Sequence, residues 1–299
     1  MTHAMRAGLA LLVLLSTNAD AFAPCGRTGT SIGLSSERNV PVGSKLFTYY
    51  DESSPSDYDE DDLVSAKGVE VDMDEGDDII RDELKRELLL LSSVSNRGEF
   101  ASLDDQNVIT DLVAQLEALN PTEDPAMKCE GEWDLALSST QFFRSSPFFL
   151  TIRAAMGASN KAMAENAFDI HDRATTAGRI GRVRQTIVGD TLTSEVDLEV
   201  GVFPGLPFRV KGSVITRASF RPVSSETAEL QVGATEVKGS NIPILNQYLD
   251  NLKLELPVNQ IFERIQGSVP TVELKTYYID EGMRITRDMD DNFFVYTRA

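Results

Sequence analysis

Between Thr191 and Val200 the chain places Leu192, Val196, Leu198 and Val200 on one side and Glu195, Asp197 and Glu199 on the other. A helix would scatter these residues around its circumference, whereas a strand, with its period of two, sorts them into an apolar and a charged face. Such a strand must lay its apolar face against other strands of the same kind. The same period recurs over Gly131–Ser138, with Trp133, Leu135 and Leu137 in phase, and over Arg182–Val188, Pro207–Thr216, Thr227–Val237, Thr271–Ile279, Met283–Arg287 and Asn292–Arg298. Gly189-Asp190 fits a two-residue hairpin loop. Eight one-faced strands in succession predict closure into an antiparallel up-and-down barrel, with a sandwich as the competing geometry. The fold class is therefore mainly β, with helices added (α+β).

The helices come first in the chain. From Ile79 the period changes, with Ile80, Leu84, Leu88 and Leu91 on one stripe and Arg81, Lys85 and Arg86 opposite, as in an amphipathic helix ending near Ser95 to Gly98. A second helix is expected with Ser102 as N-cap, Val108, Leu112, Leu116 and Leu119 as its apolar face, and Asn120-Pro121 as its stop. Two helical insertions interrupt the strands. Ser146-Pro147 reads as a cap and a first-turn proline ahead of Phe148, Ile152 and Met156, with a continuation from Ser159 to about Ala174. The second insertion lies within Asn246–Gln266 and contains Ile261, Phe262 and Ile265. Segments of this kind are expected to cover a barrel mouth.

The net charge of -19 is unevenly spread. Residues 51–78 hold thirteen acids against Lys67 alone, which reads as a disordered acidic linker. Asp72 to Gly76 mimics the start of a calcium loop, but its glycine falls one place too early and no helix precedes it. Ahead of the linker, Arg6, the apolar run Ala7–Leu15 and Ala19-Asp20-Ala21 form a secretory signal over residues 1–21. Residues 22–50 are basic, hydroxyl-rich and poor in acids, as transit peptides are. The expected organisation is thus signal, transit-like segment, linker and a folded region 79–299, helical to residue 125 and barrel from 126.

The acidity excludes a nucleic-acid partner, because phosphate contacts need clustered Lys and Arg. Once the leader is removed, Cys129 and His171 are the last of their kinds, too few for a metal site, a disulfide or a Cys–His dyad. Glu130 beside Cys129 disfavours a thiolate, and His171-Asp172-Arg173 reads as a surface stretch. No phosphate-binding glycine loop, His-Glu-x-x-His or Gly-x-Ser-x-Gly occurs. No catalytic residues, metal or cofactor are assigned. By alternation or helical spacing, Leu135, Phe148, Phe149, Ile152, Val196, Phe208, Val210 and Phe294 are candidates to line an interior cavity.

Leu116-Glu117-Ala118-Leu119-Asn120-Pro121, followed by Gly131-Glu132-Trp133-Asp134-Leu135, resembles the plastid lipid-associated proteins, or fibrillins. The likeness continues through Phe143–Phe149, Val237–Pro243, Asp280–Arg287 and Phe293–Tyr296, although Arg287-Asp288-Met289 stands where the family often has Arg-Gly-Asp. Phe22-Ala23-Pro24 after the signal resembles the bipartite leader of proteins imported into complex plastids. The resemblance implies a lipocalin-like barrel, residence on thylakoids or plastoglobules as a peripheral protein, and binding of carotenoids, quinones or acyl lipids. It also implies a structural motif in which Gly131 and Trp133 close one barrel end, with Arg284, Arg287 or Arg298 stacked on the indole. The competing functions are a lipocalin-like enzyme with a carboxylate inside the barrel, acting on a carotenoid or tetrapyrrole, and an adaptor whose barrel is filled by side chains.

Overall fold

The computed structural model describes residues 73–174, 178–201, 209–238 and 255–299. The expected signal, the transit-like segment and nearly all of the acidic linker lie outside these residues. Helix α1 spans Met73–Val94, so the last six residues assigned to the linker are helical. Helix α2 spans Leu103–Ala118 and is opened by Ser102, whose hydroxyl accepts from the Asp105 N–H while Asp105 accepts from the Ser102 N–H. Its buried face is Ile109, Leu112, Val113 and Leu116. Val108 is exposed, one position off the expected stripe, because the helix rolls to bring both Ile109 and Val113 beneath it.

The strands are β1 (Gly131–Ser138), β2 (Gly178–Val188), β3 (Thr191–Gly201), β4 (Arg209–Pro222), β5 (Thr227–Lys238), β6 (Glu255–Leu256), β7 (Val272–Ile279), β8 (Met283–Arg287) and β9 (Phe293–Arg298). All pairings are antiparallel. The order β4-β3-β2-β1-β9-β8-β7-β5, joined by the β4–β5 pairing, closes an eight-stranded barrel, with two-residue β6 appended to β5. Closure removes the free edges of the sheet, which is how alternating strands bury one face without exposing a pairing edge. Helices α3 (Pro147–Met156), α4 (Lys161–Ala174) and α5 (Val258–Gln266) complete the described fold. Ser146 occupies the cap position of α3, but its hydroxyl makes no capping bond.

Strand β1 does not keep a single phase. Its register with β9 shifts between Leu135 and Leu137, and the bulge turns Leu137 to the outer face. The three apolar residues expected on one face are thereby divided. Trp133 and Leu135 join the barrel core, while Leu137 joins Leu88, Leu112, Leu116, Tyr278, Ile285 and Val295 beneath the two N-terminal helices. Two glycines permit close approaches. Gly98 (φ +96°) ends the α1–α2 turn where a Cβ would lie 2.6 Å from the Ser138 carbonyl oxygen, and Gly131 (φ +125°) makes room for Arg298.

Asp280, in the β7–β8 turn, fastens α1 to the barrel. It accepts from Lys85 Nζ at 2.9 Å, the Tyr278 hydroxyl at 2.6 Å and the backbone N–H groups of Gly282 and Met283 at 2.8 and 2.6 Å. Burial pushes this carboxyl up, but the donors together outweigh burial and hold it below its ordinary value. The folded carboxyl therefore stays ionised to lower pH than the same group in the unfolded chain, whose ordinary value is 3.8. Its contribution is complete above that value and is lost as pH falls below it. Urea denaturation followed across this range should show a midpoint that drops on acidification, and Asp280→Asn should lower the neutral-pH midpoint while flattening the acid dependence.

Candidate ligand-binding site in the barrel

The closed end is built around Trp133, which is fully buried and donates its indole N–H to the Cys129 carbonyl at 2.9 Å. Of the three arginines the sequence offered, two meet the ring. Arg298 lies 4.3 Å from its centroid and donates to the carbonyls of Glu130 and Glu281, and Arg284 lies 5.3 Å away. Arg287 lies elsewhere: its two donors pair with the Glu117 carboxylate at 2.8 Å each, tying α2 to β8, and it sits over the Phe293 ring. The Cys129 thiol is buried, donates to the Pro125 carbonyl and lies 3.6 Å from the Thr276 hydroxyl oxygen.

Trp133, Leu135, Val196 and Phe294 lie together in the barrel core, as alternation indicated. Phe148 and Ile152 are buried in a second cluster with Phe143, Met156, Phe168, Phe262, Ala218 and Val232, the last two sharing the inward phase of Phe220 and Leu230 on β4 and β5. Phe149 is half-buried against that cluster, its ring 4.6 Å from Phe143 and 5.1 Å from Phe148. Val210 pairs with Val200 in the β3–β4 ladder, and Phe208 lies outside the described residues. His171 is not a surface residue. It is 8% exposed, against the rings of Phe143 and Phe149 at 4.9 and 5.0 Å, and burial lowers its pKa, so it is neutral at pH 7.

The interior also holds a polar belt that the reading of the sequence did not single out. Trp133 faces Gln185 across β1–β2, Gln185 faces Ser194 across β2–β3, Ser194 faces Thr216, and Thr216 faces Thr235. Thr276 and Thr286 face one another across β7–β8, and Arg284 lies two residues before Thr286 on the same side of β8. All seven of these polar side chains are buried. Gln185, Ser194, Thr216 and Thr276 stand in the apolar phase of their strands, as Gln185 does between Val183 and Ile187, and that misplacement is the signal by which alternation could have found them. Arg284 and Thr286 instead alternate with the apolar Met283 and Ile285, and Thr235 falls out of phase with Leu230 and Val232, so these three carry no such signal.

Arg284 is 0% exposed. Its Nη2 donates to Gln185 Oε1, and Gln185 Nε2 in turn donates to the Tyr296 hydroxyl at 2.9 Å and the Ser145 carbonyl at 3.1 Å. The guanidinium lies over the Tyr296 ring at 4.5 Å as well as over Trp133. Burial pushes the Tyr296 phenol up to about 12, against the opposing pull of the Arg284 charge. Among the described residues, the inward positions of the strands carry no Asp or Glu to balance that charge. No group of three or more His, Cys, Asp or Glu among the described residues is placed to hold a metal ion.

The opposite end is held by charge. Asp290, in the β8–β9 hairpin, accepts from Arg153 Nε at 2.5 Å and Nη2 at 2.7 Å and lies 3.7 Å from Arg144 Nη2. Arg144 forms a two-point pair with Glu165 of α4 at 2.7 and 3.0 Å. Helix α3 is thus anchored to the β8–β9 hairpin through Arg153, and α4 is joined to it through Arg144.

The profile of the PAP_fibrillin family matches residues 82–297. The chain belongs to the plastid lipid-associated protein/fibrillin family. The match begins within α1, takes in α2 and runs through the barrel strands to Thr297, so the helical hairpin is part of the family domain. No curated protein and no solved structure matched the chain.

The side chains of Asp290 and Arg153 are only 4% and 3% exposed, so removing the carboxylate leaves the buried Arg153 guanidinium without its counter-charge, while Arg144 keeps Glu165. Asp290→Ala should destabilise the protein by about 3–5 kcal/mol. Equilibrium denaturation followed by Trp133 fluorescence measures this directly, since Trp133 is the only tryptophan in the chain.

Proposed function

We propose that this plastid lipid-associated protein is a noncatalytic carrier that holds an apolar molecule, such as a carotenoid, quinone or acyl lipid, inside its barrel at a thylakoid or plastoglobule surface. One observation carries the reading: a closed barrel with an apolar core crossed by a polar belt, with Trp133 buried near one end and α3 packed against inward residues toward the other. Enclosure of an apolar molecule there would be driven by removing its surface from water, at roughly 25 cal/mol per Å². The family, in general one of structural, non-catalytic proteins, supports the reading. An acid–base enzyme would need an inward carboxylate, and the described strand positions offer none. Delivery to a complex plastid through a bipartite leader belongs to the same proposal and rests on the sequence of residues 1–50.

A surface role is favoured by a separate observation. No helix among the described residues is long and apolar enough to cross a membrane. The α1–α2 turn nevertheless exposes Val94, Phe100 and Leu103, each more than 70% accessible. Apolar side chains held out on a turn give a peripheral protein something to insert between lipid headgroups.

The protein isolated from its own membranes without detergent should yield, on organic extraction and mass spectrometry, a carotenoid, quinone or acyl lipid in stoichiometric amount. An empty protein that is also not retained on galactolipid vesicles would overturn the reading. An empty protein that co-isolates with one protein partner would indicate the filled-barrel adaptor. For the surface contact, Phe100→Asp should reduce vesicle retention several-fold while leaving the denaturation midpoint unchanged.

A further inference from the structure

We infer that the barrel is built for a single-chain apolar acid whose carboxylate is received by Arg284, a conclusion that deepens the carrier reading and rests on it. The primary observation is an unmet electrostatic demand. A guanidinium withdrawn from water needs a counter-charge or a full set of acceptors, and Arg284 has one acceptor, Gln185 Oε1, and two aromatic faces. Its Nε and Nη1 have no partner. Two hydroxyls of the same belt, Ser194 and Thr286, are also buried without partners, so the unsatisfied donors are concentrated at one level of the barrel. Buried polar groups are normally satisfied, and two unmet donors on one guanidinium, with two unmet hydroxyls on the same belt, call for an acceptor that carries negative charge.

The surroundings set the rest of the ligand. The side toward Arg298 is filled by Trp133, which is fully buried with Arg298 and Arg284 both within 5.3 Å of its ring centroid. Toward the helical end the interior is apolar, with Val183, Val196, Phe294 and Leu150 in one continuous cluster. A free inorganic anion would leave that wall without a partner. An ester, alcohol or hydrocarbon would leave the guanidinium without a counter-charge. A carboxylate on a single acyl or isoprenoid chain satisfies both, with its head at the belt and its tail directed toward α3.

The test uses the full chain and two probes that differ only in the head, palmitate and methyl palmitate, offered as an equimolar mixture at pH 7.5 and quantified in the bound fraction by mass spectrometry. Charge-assisted hydrogen bonds in a desolvated site predict a preference for palmitate on the order of tenfold or more. Arg284→Met, which keeps the length and apolar stem, should return the ratio to about one without reducing the methyl palmitate retained. Equal retention of both probes by the unaltered protein would overturn the head-group assignment and leave the apolar carrier intact. Retention of neither would overturn both. Displacement of palmitate by millimolar acetate or chloride, with no preference over the ester, would show a small-anion site and overturn the assignment. The head-group comparison in the unaltered protein involves no substitution, so it decides the matter even if Arg284→Met fails to fold.

Discussion

Strand β1 is the member on which both layers of the molecule depend. It pairs with β2 on one side and β9 on the other, and its bulge near Ala136 sends Trp133 and Leu135 inward and Leu137 outward. A flat strand would have put all three leucine and tryptophan side chains into the lumen. The outer faces of β7, β8 and β9 would then lack the apolar neighbour that helps seat α1 and α2. A one-residue irregularity thus lets one short strand serve two cores.

How far the chain can be read in advance follows from which signals are local. The eight long strands, the Gly189-Asp190 turn and the helical insertions were legible because period and punctuation are written within each segment. The bulge was not, since nothing in Leu135-Ala136-Leu137 departs from alternation, and only the pairing with β9 reveals it. The same limit applies to the site. Trp133, Leu135, Val196 and Phe294 were placed inward by phase, and the structure sets Phe148 and Ile152 in a separate cluster, against the inward-phase Ala218 and Val232. His171 looked exposed because Asp172 and Arg173 flank it, yet the face of α4 that carries it turns toward Phe143 and Phe149. The polar belt was missed for the opposite reason. Searching for apolar residues in phase passes over a glutamine or threonine that keeps the same phase.

The two ends of the barrel are secured by different physics. At the Trp133 end two guanidinium groups meet one aromatic ring, so that charge is set against a π system. At the helical end Arg144, Arg153, Asp290 and Glu165 neutralise one another across four separate segments. Apolar packing surrounds both, but it is non-directional and would tolerate sliding. The fixed distances of the ion pairs and the stacked cations set where the helices and the last strand stop.

The register that closes the sheet pairs Trp133 with Arg298, the penultimate residue of the chain. During synthesis β1 therefore leaves the ribosome long before its second neighbour exists. Until β9 arrives, one side of β1 offers unpaired N–H and C=O groups, and Trp133 lacks the guanidinium that will cover it. The barrel is completed only by β9, so a barrel lacking that strand would be left open between β1 and β8, with the indole at the seam.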